Sequence, residues 1–216
     1  MNTNTNIEID NFINIFNEIN INPILKNRGT GAGGANTTLN GLSFEKKTSI
    51  ENKLLDNGYH KIIFNNKKKF GYYFEYINNN HKIIYLTQTG FRLFFKLKYN
   101  IDVYRNPDEA FLIIKEDKYY IKILEKKNQN VAGSVEDKLK TGLFNKREYE
   151  KMFKDNSLNF IISYSFCVSN YLKKQLNSNT NKYNNMKEIM AEDNTNIFYG
   201  DDDNYFDKLI EWINDN

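Results

Sequence analysis

Two apolar-rich stretches of the chain, about Asp108 to Ile114 and Tyr119 to Gln129, read as well-defined β-strands, in which side chains alternate between faces. The polar turn Lys115-Glu116-Asp117-Lys118 joins them and predicts a hairpin. Upstream, the runs KIIF, KFGYYFEYI, HKIIYL and FRLFFKL, separated by Asn/Lys turns, predict further strands between Tyr59 and Lys98. Residues 7–25 carry a helix-compatible pattern from Ile9 to Ile19 that ends near Pro23. The glycine-rich stretch Arg28 to Gly41 is expected to be a loop. SFEKKTSIENKLLDNG then predicts one helix, with Ser43 as N-cap, Phe44, Thr48, Glu51 and Leu55 on one face, and Gly58 as the stop.

Beyond the hairpin, Ser134 and Asp137 have the spacing of a capping box and predict a helix start. NFIISYSFCVS, Asn159 to Ser169, predicts a buried strand, and NYLKKQLN a helix after it. Residues 177–187 are low in complexity and expected to be mobile. A last amphipathic helix, Tyr205 to Ile213, carries the single Trp212. Helix, strands, helix, strand and helix in that order imply a mixed α/β fold with one central sheet flanked by helices. No repeat or linker divides the pattern, so one domain over residues 1–216 is expected. Its core would span about 40–175, with the Asn-rich N-terminal segment and the C-terminal helix as appendages.

Composition narrows the chemistry more than the fold. With 16 Phe and 15 Tyr among 216 residues, the chain has the aromatic content of a folded protein despite its abundance of Asn and Lys. That abundance matches an AT-rich genome, so no single Asn carries much meaning. A net charge of +3 is mild, and any nucleic-acid surface must come from local clustering. The single Cys167 precludes an internal disulfide and a thiolate zinc site. The first residues lack the basic and apolar regions of a signal peptide, and no apolar run spans a bilayer. A soluble intracellular protein with no membrane partner is expected. Only two histidines, His60 and His81, are present, so histidine-metal hydrolases and His-Asn-His nucleases are disfavoured. Chemistry must rest on carboxylates and lysines.

The hairpin register supplies such a constellation. A turn centred between Glu116 and Asp117 pairs Leu112 with Ile121, Ala110 with Ile123, and Asp108 with Glu125. Ile121, Ile123, Glu125 and Lys127 then share a face. Like charges set opposite each other cost up to about 1 kcal/mol, which a divalent cation between them would offset. Lys127, two residues on, could orient a water and offset charge on a phosphorane. Solvated strand-end charges are the plainer account, since Glu-x-Lys alone is a weak motif.

Pro107-Asp108, sixteen intervening residues and Glu125-Lys126-Lys127, with an acidic helix upstream, resemble the PD-(D/E)XK nuclease superfamily. The segments GAGGANTTLNGLSFEKKT and ILEKKNQNVAGSVEDKL are similar to those of type II restriction endonucleases. The resemblance covers about residues 28–145. It implies a restriction-endonuclease-like core and Mg2+-dependent cleavage of both strands of a short specific sequence in double-stranded DNA. Mn2+ would be a possible substitute. It also implies a homodimer, a partner DNA methyltransferase in the same genome, and a place in the cytoplasm of a bacterial or virus-infected cell. Asp108 and Glu125 would bind metal, and Lys127 would assist the attacking water. A repair or recombination nuclease of similar core and a non-catalytic DNA-binding protein are the alternatives.

Such nucleases often add a carboxylate from the helix before the sheet. Glu51 lies near the apolar face at about 100° per residue, where an unpaired carboxylate is anomalous. Glu45 follows Phe44 in the first predicted turn, where it could merely balance the helix dipole. Both stay candidates. Gly31, Gly33, Gly34 and Asn36, ahead of a helix N-terminus, are candidates for DNA-backbone contact, or simply a flexible linker. Gln129 shares the face of Lys127 and could contact DNA or hold a water. Lys126 is expected to be solvated or phosphate-bound. Lys67-Lys68-Lys69 reads as a charged hairpin tip, Asp201-Asp202-Asp203 as a solvated loop, His60 and His81 as strand-end residues, and Tyr72-Tyr73-Phe74 as sheet core.

Overall fold

The computed structural model describes residues 35–66, 69–78, 81–129, 135–154 and 158–215. The chain divides into the units Met1–Leu39 and Asn40–Asn216, and the sheet belongs entirely to the second. The predicted helix over residues 7–25, Gly31, Gly33, Gly34, Lys67, Lys68 and Ser134 lie outside the described residues.

The alternating runs form the strands they predict. β1 (His60–Asn66), β2 (Lys69–Ile77), β3 (His81–Thr87), β4 (Glu109–Lys115) and β5 (Lys118–Lys127) pair antiparallel in succession. β6 (Phe160–Val168) and β7 (Ile197–Tyr199) then continue the sheet in parallel, so β5 separates its antiparallel and parallel parts. The seven strands lie in the sheet in chain order. In the β4–β5 hairpin Glu116 and Asp117 adopt left-handed backbone, with φ of 50° and 61°. That is the mirror-image turn whose twist suits a two-residue connection. It pairs Leu112 with Ile121 and Ala110 with Ile123, the register expected from a turn centred between Glu116 and Asp117.

Each face of the sheet has its own core. Ile84, Leu86, Ala110, Leu112, Ile121, Ile123, Tyr164 and Phe166 point one way. The helices before the last are, in chain order, α1 (Ala35–Lys47), α2 (Glu51–Asp56), α3 (Gln88–Tyr99), α4 (Val135–Lys140), α5 (Gly142–Lys154), α6 (Asn170–Leu176) and α7 (Asn181–Glu192), and of these α3, α5, α6 and α7 pack over that face. Ile83, Tyr85, Phe111, Ile113, Leu124 and Cys167 point the other way, under Phe44, Ile50, Leu54 and the last helix, α8 (Tyr205–Asn214). The result is a mixed α/β fold with a seven-stranded mixed sheet flanked by helices. Among the described residues no helix is long and apolar enough to cross a membrane.

The structure corrects four sequence expectations. FRLFFKL is not a strand but the body of α3. Thr87 caps it by accepting from the Gly90 amide, Asn100 ends it in a left-handed conformation, and Phe91, Phe94 and Phe95 form its buried stripe. A side chain at Gly90 would meet the Tyr72 carbonyl at 2.7 Å, so only glycine lets the helix start this close to β2. The expected helix over 43–58 is two helices. The Thr48 hydroxyl donates to the Phe44 carbonyl, and Ser49 accepts from the Glu51 amide. These local bonds compete with helical continuation and break it. Ser43 is therefore inside α1, and Leu55 is 57 % exposed. The expected loop is helical from Ala35, because only Gly41 interrupts the segment after Gly34. Residues 181–187 start α7, anchored by Tyr183 and Met186 within Asn-rich surroundings.

The last helix is held by Lys122. That lysine points into the second core, and its ammonium donates to the Trp212 and Asp215 carbonyls at the C-terminus of α8. Burial pushes it down to about 8, while Asp215 opposes the shift.

Candidate active site

At the end of the β4–β5 hairpin opposite its turn, the ladder stops at Glu109 and Leu124. The next pair in register would be Asp108 and Glu125. Here Asp108 Oδ2 accepts the Lys126 amide at 2.7 Å, so a carboxylate continues the ladder where the backbone leaves it. Pro107, which has no amide hydrogen, precedes that departure. Glu125 and Lys127 lie on the face of Ile121 and Ile123, and Lys127 Nζ reaches Glu125 Oε1 at 2.6 Å. Both side chains keep about a fifth of their surface in solvent, 20 % and 18 %. Burial lifts the Glu125 carboxyl above its ordinary value, and the charge of Asp108 lifts it further. Lys127 and then Arg105 pull the other way.

Of the two glutamates offered by the upstream helix, one reaches this group. Glu45, half-buried in α1, is raised by burial and then by Asp108, with Lys126 and Lys127 opposing. Glu51 opens α2 and its charge acts on Tyr72 and Tyr85 instead. Asp108, Glu125, Lys127 and Glu45 thus come together, and Glu51 sits apart. Asn36 falls in the first turn of α1 and not in a loop. Gln129 turns inward: its backbone exchanges two hydrogen bonds with the Ser169 hydroxyl, tying the end of β5 to the start of α6.

Lys126 departs most from expectation. It alternates to the opposite face and is buried beneath α1, where its ammonium bonds Glu109 Oε1 at 2.9 Å and the Glu45 carbonyl at 3.1 Å. Both partners of this pair keep only 3 % of their side-chain surface in solvent. Tyr85 donates to the same Glu109 oxygen. Burial raises Glu109 and Lys126 opposes that most strongly. Alternation gave the face correctly, but the helix that covers it made Lys126 internal. The pair holds α1, and with it Glu45, against the hairpin.

Sequence reading missed the groups on the other side of Glu125. Arg105, three residues before Asp108, donates to Glu148 of α5. Tyr149 and Tyr164 are buried, and both are raised first by burial and then by the Glu125 charge. Tyr164 accepts from Asn145, while the Tyr149 hydroxyl has no partner among the described residues. Their distance along the chain hid them: α5 returns to the hairpin only through its packing on β6. Asp201 accepts from Lys47 and from the Asn170 amide, and Asp202 from Lys173, so this acidic run ties helices together.

The cluster combines carboxylate oxygens that repel one another with lysine and arginine donors, an arrangement suited to a hard cation and a phosphate. Among the described residues there is no group of three or more His, Cys, Asp or Glu side chains that could hold a metal ion. Comparison with protein-family models, curated proteins and solved structures gave no match.

Proposed function

We propose that this protein is a Mg2+-dependent endonuclease with a restriction-endonuclease-like core, hydrolysing phosphodiesters of double-stranded DNA at a specific sequence. The observation that carries the reading is the meeting of Asp108, Glu125 and Lys127 at one end of the hairpin, with Glu45 beside them. The chemistry of the donors fits the ion. Magnesium takes one or two carboxylates and completes its shell with water and phosphate oxygens, so it needs no all-protein cage. Asp108 and Glu125 would hold it, with Glu45 nearby, and Mn2+ could take its place. When bound, the ion neutralises phosphate charge and acidifies water.

The protein's own groups supply the remainder. Burial, and then the charge of Asp108, raise the carboxyls of Glu125 and Glu45, a cost that a cation offsets. Lys127, released from Glu125, would orient the attacking water and balance negative charge on the phosphorane. Water oxygen bonds to phosphorus as the bond to one ester oxygen breaks, and that oxygen leaves with a proton. Two such sites in a homodimer would cut both strands, and a cognate methyltransferase would protect the host's own copies.

Plasmid cleavage tests the reading. Wild type with Mg2+ is expected to give discrete fragments, and Glu125→Ala and Lys127→Ala none. Nicking or smearing would indicate a repair-type nuclease. Wild-type protein that is folded yet inert across divalent metals and unmethylated substrates would overturn the proposal.

A further inference from the structure

Arg105 sits in the segment between α3 and β4, and its side chain is 38 % exposed. Nε and Nη2 both approach one oxygen of Glu148, at 2.6 and 2.5 Å. That anchor fixes the plane of the guanidinium. It leaves Nη1 with no protein partner among the described residues. Glu148 precedes Tyr149, whose ring lies 6.3 Å from that of Tyr164 between centroids, and Tyr164 pairs in register with Ile123, two residues before Glu125 on the same face. The arginine charge accordingly acts on Glu125 and on both phenols. The Tyr149 hydroxyl there is fully buried and unpartnered. A fixed, partly exposed guanidinium and an unused buried donor converge beside the carboxylates.

A surface ion pair joining a loop to a helix would need neither the second donor nor the nearness to Glu125. A guanidinium held at one edge offers its remaining donors in the fork that matches phosphate oxygens. The site otherwise has an excess of carboxylates facing an anionic substrate, and Lys127 alone is committed to Glu125. We propose that Arg105, oriented by Glu148, binds the non-bridging oxygens of the scissile phosphate and stabilises the charge they gain in the transition state. This rests on the nuclease reading above. Arg105 is then a catalytic residue and Glu148 a positioning residue.

The test uses full-length wild type, Arg105→Ala, Arg105→Lys and Glu148→Gln, with a duplex carrying the site that wild-type cleavage defines. Steady-state cleavage is read together with duplex affinity over a range of NaCl concentrations without divalent metal. Arg105→Ala is expected to lose about 100- to 1000-fold in kcat, as removal of one transition-state donor does elsewhere. It should also lower the slope of log affinity against log salt by about one. Arg105→Lys should keep the slope and lose at least about tenfold in kcat, because the charge stays and the fork goes. Glu148→Gln should keep the slope with a smaller fall in kcat. A folded Arg105→Ala with wild-type kcat and slope would overturn the inference. Should that variant fail to fold, a wild-type kcat in Arg105→Lys would overturn it equally. An inert wild type would sink the nuclease reading itself, whereas an active wild type with indifferent arginine variants sinks only the role of Arg105.

Discussion

Adjacent residues of Glu125-Lys126-Lys127 have opposite duties. Alternation sends Lys127 toward the carboxylates and Lys126 beneath α1, to a buried partner. A buried ion pair adds little net stability over an apolar pair, but removal of one partner strands the other charge. Lys126→Met should therefore cost about 3–5 kcal/mol, and Lys126→Met with Glu109→Met should recover most of it. Urea denaturation of the three proteins measures this. Equal losses in the single and double variants would show that the pair is not what matters. The middle lysine of a Glu-x-Lys motif is easily passed over as solvated, because strand parity gives a face and says nothing of what covers it.

Elements differ in how openly the chain announces them. The β4–β5 register was legible because apolar partners match along it and a four-residue polar turn closes it. α3 was misread, although Thr87 ahead of Phe91, Phe94 and Phe95 carries a cap and a helical spacing; its density of aromatics imitates a strand. α7 hid its Tyr183, Met186 and Met190 stripe among asparagines, and three-residue β7 is too short to leave a period. Of the site, the hairpin half could be read in advance. Arg105, Glu148 and Tyr149 could not, because packing joins them and no local pattern does. The hairpin turn also leaves room for improvement. Asp117 holds φ at 61° with a side chain present, so Asp117→Gly should stabilise the protein by up to about 1 kcal/mol. A rise in the denaturation midpoint at unchanged slope is the expected result, and a fall would mean that the Asp117 side chain stabilises the turn.

For the whole molecule, the raised carboxyls set the pH response. Glu45, Glu109 and Glu125 hold protons more tightly folded than unfolded. Their stabilising contribution is full below the ordinary glutamate value of 4.5 and is lost as pH rises through the folded values. Asp201, lowered chiefly by its bond from Lys47 against the cost of burial, works in the opposite sense. Glu125→Gln removes a buried, repelled charge and should raise Tm at neutral pH by a few degrees, about 2–4 °C per kcal/mol at this size. It should also flatten the decline from mildly acid to neutral pH. Millimolar Mg2+ should raise the Tm of wild type more than that of the variant. Calorimetry across that range decides, and a variant less stable than wild type at neutral pH would contradict the expected sign.

Because strand order in the sheet is also chain order, each strand pairs beside the one that precedes it in the chain. β5 ends some thirty residues before β6 begins, and without β6 it would be a bare edge with apolar side chains on both faces. Such an edge invites pairing with another nascent chain, and inward-pointing charges are one of the means by which proteins discourage it. Lys122 and Lys126 stand on β5 on one face, and each is buried beneath a helix whose carbonyls it meets. Lys122 and Lys126 are charges of that kind on β5, and in the folded protein backbone carbonyls and the Glu109 carboxylate take them in.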